Sequence, residues 1–183
     1  GISAVGDDDA VIGVQIFHHR PGDGLPLLSL DVGAVQVEDV PGVDVVVGYV
    51  EPHTRADALA LLDGLEVLPV KSVKHRNVAL REFDLDAALK RRPQVVLVDE
   101  LAHTNAPGCR HRKRYQDVEE LLRAGIDVCT TVNVQHLEGL NDKIASVTAV
   151  APSERIPDRV FDAADSVEVV DLEPADLINC LLY

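Results

Sequence analysis

Short apolar runs alternate with helical spacings of apolar residues along most of this chain. Ala10 to Phe17, Val43 to Val50, Glu66 to Val70, Gln94 to Val98, Ile126 to Val132 and Val167 to Val170 read as strands. The Gln94 to Val98 run, rich in β-branched residues, fits a strand buried on both faces. Helices are expected between them. Thr54 opens one, with Asp57 as its capping-box partner, Leu59 and Leu62 on its apolar face and Gly64 at its end. Asp84 caps a second, which runs to Arg92 before Pro93 stops it. Lys113 to Ala124 places Tyr115, Val118, Leu121 and Leu122 on one face, with Gly125 as the stop. Val134 to Val147 keeps Leu137, Leu140 and Ile144 in helical register, and Pro174 begins a terminal helix. This alternation predicts an α/β fold: a mostly parallel sheet with helices on both faces. A chain of 183 residues fits one domain.

The stretch from Leu27 to Val40 breaks the pattern. It is rich in valine, holds Gly33 and is followed by Pro41, which makes poor helix material. Residues 1–42 also carry one basic residue, Arg20, against seven acidic ones.

Charge narrows the function. The formal net charge is -14, which opposes a nucleic-acid partner, because phosphate binding needs a basic face. Aromatic residues are 3% of the chain, too few for base stacking. No apolar run approaches the roughly 18 to 20 residues of a membrane span, so insertion of this segment is not expected. Cys109, Cys129 and Cys180 are widely spaced and odd in number, which suits reduced, core-filling thiols in a cytoplasmic setting. The seven histidines show no metal-ligand spacing, and His18-His19 is adjacent.

Three segments put polar groups beyond the carboxyl ends of predicted strands, where open parallel sheets bind ligands. Val95 to Val98 runs into Asp99-Glu100, the pattern of a Walker B strand. Its Asp would hold Mg²⁺ through water, and its Glu would orient an attacking water. Helix capping explains the same two acids equally well. His103, Thr104 and Asn105 follow, with donors suited to phosphate or water, although Asn105-Ala106-Pro107-Gly108 is also a good turn. The strand ending at Val132 then delivers Asn133 and Gln135, with Asn133 also placed as an N-cap. A fourth cluster, Arg110, His111, Arg112, Lys113 and Arg114, sits at a helix start, where positive charge opposes the helix dipole. That cost points to pairing, with a phosphate or with acidic groups of the same or another domain. A solvated basic face is the alternative.

From Gly42 onward these segments resemble the KdpD family. The resemblance rests on the strand Gly42 to Glu51, on Leu59 to Pro69, on Phe83 to Asp86, on Tyr115 to Leu122 and on Thr130 to Asn141. Its most specific stretch is Arg92 to Gly108, reading RPQVVLVDELAHTNAPG. The resemblance implies the N-terminal cytoplasmic domain of a membrane-bound sensor histidine kinase that responds to potassium limitation and osmotic stress and phosphorylates a response regulator. It implies a P-loop NTPase-like fold that binds ATP with Mg²⁺ and adjusts the kinase-to-phosphatase balance. The expected partners are the kinase core and membrane portion of the same sensor, which would lie beyond Tyr183, and the response regulator. The family's phosphate loop, close to Gly-Ala-Ala-Pro-Gly-Val-Gly-Lys-Thr, corresponds here to His18 to Pro26. Pro21, Gly22 and Gly24 keep its frame. Leu25 replaces the Lys that reaches the β- and γ-phosphates, and Pro26 replaces the Thr that ligates Mg²⁺. Asp23 adds a negative charge beside the phosphate position. Residues 1–41 fit either a decayed loop on a retained scaffold or an altered reading frame or start.

The leading expectation is a sensory and regulatory domain with a degenerate Walker A loop. An active P-loop ATPase or phosphotransferase using Asp99 and Glu100 is a second reading. A nucleotide-free module docking through Arg110, Arg112 and Arg114 is the third.

Overall fold

The bulk of the buried apolar surface lies on one six-stranded sheet. The computed structural model describes residues 12–18, 29–31, 34–36, 42–50, 64–75, 78–140 and 153–171. The sheet comprises β1 (Ile12–His18), β4 (Val45–Tyr49), β5 (Glu66–Val67), β8 (Val95–Val98), β9 (Asp127–Asn133) and β10 (Ser166–Asp171), in the order β10-β1-β9-β8-β4-β5. β4, β5, β8 and β9 run parallel, which the long connections between them require. β1 runs antiparallel to both of its neighbours, β9 and β10. Two hairpins stand outside the sheet: β2 (Ser29–Asp31) with β3 (Ala34–Gln36), and β6 (Lys71–His75) with β7 (Val78–Glu82). The first confirms that the valine-rich stretch is poor helix material. The second was not predicted.

Side chains of the central strands alternate between two apolar clusters, as period-two geometry demands. Val46, Val96, Val98, Val128 and Val132 face one side. There they meet Leu85 and Ala88 of α1 (Leu85–Arg91), Val118 and Leu121 of α2 (Arg114–Arg123) and Val160 of α3 (Asp158–Asp162). Val47, Val95, Leu97 and Cys129 face the other side, joined by Val43, Val45, Val50 and Leu65. Among the described residues, every helix contributing to a core cluster packs on the first face. The helix expected from Thr54 lies outside the described residues up to Gly64, as does the one expected from Pro174.

The helix signals operate as physical chemistry predicts. The Asp84 carboxylate accepts from the Ala87 N–H at 3.0 Å, and Arg92 ends α1 in a left-handed turn just before Pro93. Val134 to Val147 is not one helix: Val134–His136 forms a 3₁₀ turn, Leu137 bridges to Ile156, and helix resumes at residue 138. The Ile156 N–H donating to the His136 carbonyl at 2.9 Å and the Glu138 N–H donating to the Ile156 carbonyl at 3.2 Å fix that interruption. The expected strand Glu66 to Val70 pairs only at Glu66–Val67.

One glycine sets the geometry of the strand ends. The β4–β8 register shifts between Val47 and Tyr49, leaving Gly48 as a bulge. Strict alternation would put Tyr49 on the face of Val47. The bulge turns it instead onto the helix-covered face, where it is buried. A Cβ at position 48 would lie 2.7 Å from Phe83 Cε2 and 2.8 Å from Val96 Cγ2. Gly48→Ala should therefore lower stability by about 1 to 3 kcal/mol, read as a lower urea midpoint at unchanged slope. An unchanged midpoint contradicts this account of the bulge.

Candidate functional site

The carboxyl ends of β4, β8 and β9 carry the densest polar network. Asp99 follows the central strand β8, as the apolar run before it predicts. Its N–H donates to the Tyr49 carbonyl at 3.0 Å, continuing the β4 ladder. Its Oδ1 accepts from the Thr131 hydroxyl and from the Glu100 N–H, the latter at 3.0 Å. Glu100 has φ 58, a left-handed conformation that non-glycine residues seldom adopt. That turn, tied down by Leu101 N–H donating to the Thr131 carbonyl at 2.9 Å, swings the Glu100 side chain toward His103 and Arg114.

Arg114 is the centre of the network. It is 0% exposed, at the first position of α2. One guanidinium nitrogen donates to the Asp99 carbonyl at 3.1 Å and lies 3.6 Å from Glu100 Oε2. The other donates to Glu82 Oε2 at 3.3 Å. The guanidinium plane sits 4.2 Å from the Tyr49 ring centroid, the use to which the Gly48 bulge is put. Glu82, almost fully buried, also accepts from the Ala106 N–H at 2.7 Å and faces His103 Nε2 at 3.2 Å. Burial alone would raise the Glu82 pKa. The His103 and Ala106 hydrogen bonds, with the charges of His103 and Arg114, outweigh it and hold the carboxyl below its ordinary value.

The loop between His103 and Lys113 is closed by its own backbone. Asn105 N–H donates to the Arg112 carbonyl at 3.0 Å, and Arg114 N–H to the His103 carbonyl at 3.1 Å. Asn105 Nδ2 fills the loop from inside, donating to the His111 carbonyl at 3.2 Å and to Asp117 Oδ2 at 2.6 Å. Thr104 takes the Lys113 ammonium on its hydroxyl at 2.6 Å, while its N–H donates to Glu154.

The residues singled out by sequence fall into three groups. Asp99, Glu100 and His103 converge at the strand ends. Thr104 and Asn105 lie beside them but serve the loop, and Asn133 caps the 3₁₀ turn without a side-chain hydrogen bond. Gln135, in that turn, is half-buried. Arg114 is corrected from a phosphate or partner contact to a buried internal cation, because Glu82, Asp99 and Tyr49 enclose it. Arg110 is held at the surface by Asp86 and Glu120, acidic groups of the same domain, and Arg112 is exposed. Pro21, Gly22 and Gly24 lie outside the described residues, with Asp23, Leu25 and Pro26. The strand before them is informative. His18 pairs with Val128 near the start of β9, whereas Gly13 pairs with Asn133. The chain therefore leaves β1 at the end of the sheet opposite to Asp99. The sequence does not single out Glu82 and Tyr49, because each lies far along the chain from the loop it anchors; Thr131 belongs to the polar strand end that the sequence does mark.

Among the described residues, no group of three or more His, Cys, Asp or Glu side chains is arranged to hold a metal ion. No described helix is long and apolar enough to cross a membrane.

The model of the KdpD family, described as the osmosensitive K⁺ channel His kinase sensor domain, matches residues 19–182. The chain is 62% identical over 136 residues to a sensor protein KdpD of Escherichia coli, covering 74% of this chain and 15% of the relative. It is 57% identical over 138 residues to a sensor protein KdpD of Clostridium acetobutylicum, covering 75% of this chain and 15% of the relative. A putative sensor protein KdpD of Synechocystis is 46% identical over 157 residues, covering 86% of this chain and 42% of that relative. The chain thus spans about 15% of the length of the first two relatives.

One consequence of the packed loop is measurable. Burial pushes the Asp117 carboxyl from 3.8 up to about 6, against the Asn105 hydrogen bond and the His111 and Arg114 charges, while Glu120 adds to the rise. Between those values the folded state binds more protons at this site than the unfolded state. This group's contribution to stability therefore falls as pH rises from about 4 to about 6. Asp117→Asn should remove that decline, measured as the difference in unfolding free energy between variant and wild type at pH 4.5 and pH 7. Parallel pH profiles would contradict the assignment.

Proposed function

The chain belongs to the KdpD family of sensor domains of potassium-related histidine kinases, and from that premise we propose that it regulates such a kinase through a scaffold rather than through turnover. In this reading it sits on the cytoplasmic side of a membrane sensor that responds to potassium limitation and osmotic stress. Its partners are the kinase core and membrane portion of that sensor, with a response regulator receiving the phosphoryl group downstream. Its nucleotide site is degenerate, so Mg-ATP binds weakly and the domain acts by contact.

The observation that carries the proposal is the direction of β1. His18 ends that strand beside Val128, about three residues or roughly 10 Å short of the level of Asp99, and the chain is then heading away from it. The composition of the following loop supports the same reading. Leu25 has no charge for phosphate, Pro26 has no hydroxyl for Mg²⁺, and Asp23 repels the anion. Asp99, the residue that would hold Mg²⁺, already accepts from Thr131 and Glu100. These groups do not suit Mg-ATP, and no chemical step is assigned to them.

Calorimetric titration of the purified chain with Mg-ATP tests this. The expected dissociation constant is at least about tenfold weaker than that of a family member with the Lys-Thr pair, the effect of losing one charged contact. A low-micromolar constant, about -8 kcal/mol, contradicts it.

A further inference from the structure

Positive charge in this acidic chain is segregated. Residues 67–81 and 101–116 contain no Asp or Glu, yet they hold Lys71, Lys74, Arg76 and Arg81 and then Arg110, Arg112, Lys113 and Arg114. Four and four make eight of the chain's 17 Lys and Arg residues, against 31 acidic residues lying elsewhere. The fold brings the two stretches together. The Ala106 N–H of the loop donates to Glu82 at the end of β7, and Gly108 lies against Val73 of β6. Between hairpin and loop is an open concavity of about 800 Å³, walled by Leu80, Ala106 and Pro107 and bordered by Arg81 and Arg112.

The cations of this face divide by partner. Arg114 is buried on Glu82, Lys113 is spent on Thr104 and the Ala102 carbonyl, and Arg110 is held by Asp86 and Glu120. Among the described residues, Lys71, Lys74, Arg81 and Arg112 form no ion pair. Burial, and after it the Glu82 carboxylate, raise the pKa of the Cys109 thiol that lines the concavity, and the Lys71 ammonium opposes them, so the hairpin's charge bears on the same space. Val78, at the tip of the hairpin, is 57% exposed. Apolar walls with an unpaired cationic rim, in a molecule of net charge -14, are complementary to an acidic segment with an apolar anchor.

We infer that the groove between the β6–β7 hairpin and the 103–112 loop is a docking site for an acidic, partly apolar segment of a protein. Arg81 and Arg112 clasp its carboxylates, and Leu80, Ala106 and Pro107 receive its apolar side chain. The groove is also lined by Glu82, His103 and Asn105 of the strand-end network, but the Arg81 and Arg112 side chains make no bond in that network, so the test on them does not depend on nucleotide binding.

The test uses the full chain and a fluorescein-labelled peptide of alternating Glu and Leu, followed by fluorescence anisotropy. Arg81→Ala with Arg112→Ala should weaken binding about tenfold, two surface charge contacts' worth. Both residues are exposed, so the thermal melt of this variant should match that of the wild type. The control variant, Arg92→Ala with Arg123→Ala, removes two exposed cations at the opposite end of the sheet and should bind as the wild type does. Binding should fall with added salt. Equal affinity of the Arg81 and Arg112 variant and the wild type overturns the inference. So does an equal loss in the control variant, which marks a diffuse charge effect. Tripolyphosphate displacing the peptide at equal charge concentration also overturns it, because it assigns the groove to phosphate ligands.

Discussion

A buried guanidinium holds this domain's polar end together. Arg114 and Glu82 come from elements 32 positions apart, and neither has water to fall back on. Charges in that position are costly unless paired and hydrogen-bonded, and of the guanidinium nitrogens only Nε lacks a partner. Arg114 therefore recruits the Asp99 carbonyl, the Glu100 carboxylate and the Tyr49 ring, and Glu82 recruits His103 and the Ala106 N–H. The consequence is architectural. The end of β7, the end of β8, the bulged end of β4 and the start of α2 are all referred to one ion pair. The left-handed turn at Glu100 and the closed 103–113 loop follow from the same demand.

That dependence also explains the placement of positive charge at a helix start. Four cations before or within the first turn of α2 oppose its dipole. Arg114 is repaid by Glu82 and Arg110 by Asp86 and Glu120, whose own carboxyl is held low first by the His111 hydrogen bond. Among the described residues, Arg112 is the one of the four with no ion pair or side-chain hydrogen bond, next to a hairpin whose Lys71, Lys74 and Arg81 likewise form no ion pair. A basic groove in an acidic domain fits the regulation by contact proposed above.

Much of the fold was legible because local signals and burial agree. The runs at Val43 to Val50, Gln94 to Val98 and Ile126 to Val132 are apolar on both faces, and only a central parallel strand uses such a pattern. Asp84, Pro93 and Gly125 mark helix ends through hydrogen bonding and backbone geometry that act within a few residues. The β6–β7 hairpin was missed because its residues alternate weakly and lie outside the main sheet. The break in the Val134 to Val147 pattern comes from Leu137 bridging to Ile156, a contact no local period encodes. At the site, Asp99 and Glu100 were legible as the end of an apolar strand. The basic cluster was legible only as a cost needing a partner, because the partner's identity depends on a hairpin about 30 residues upstream. Tyr49 could not be foreseen, since a bulge at Gly48 reverses the face it would otherwise take.

The most direct measurement is a double-mutant cycle on the central pair, read by urea unfolding. Arg114→Met alone should lose about 3 to 5 kcal/mol, because it strands a buried carboxylate. Adding Glu82→Leu should recover most of that loss, because the stranded charge is then gone. A single-variant loss below about 1 kcal/mol, or a double variant whose loss is the sum of the two singles, would mean that the strand ends are held by something other than this pair.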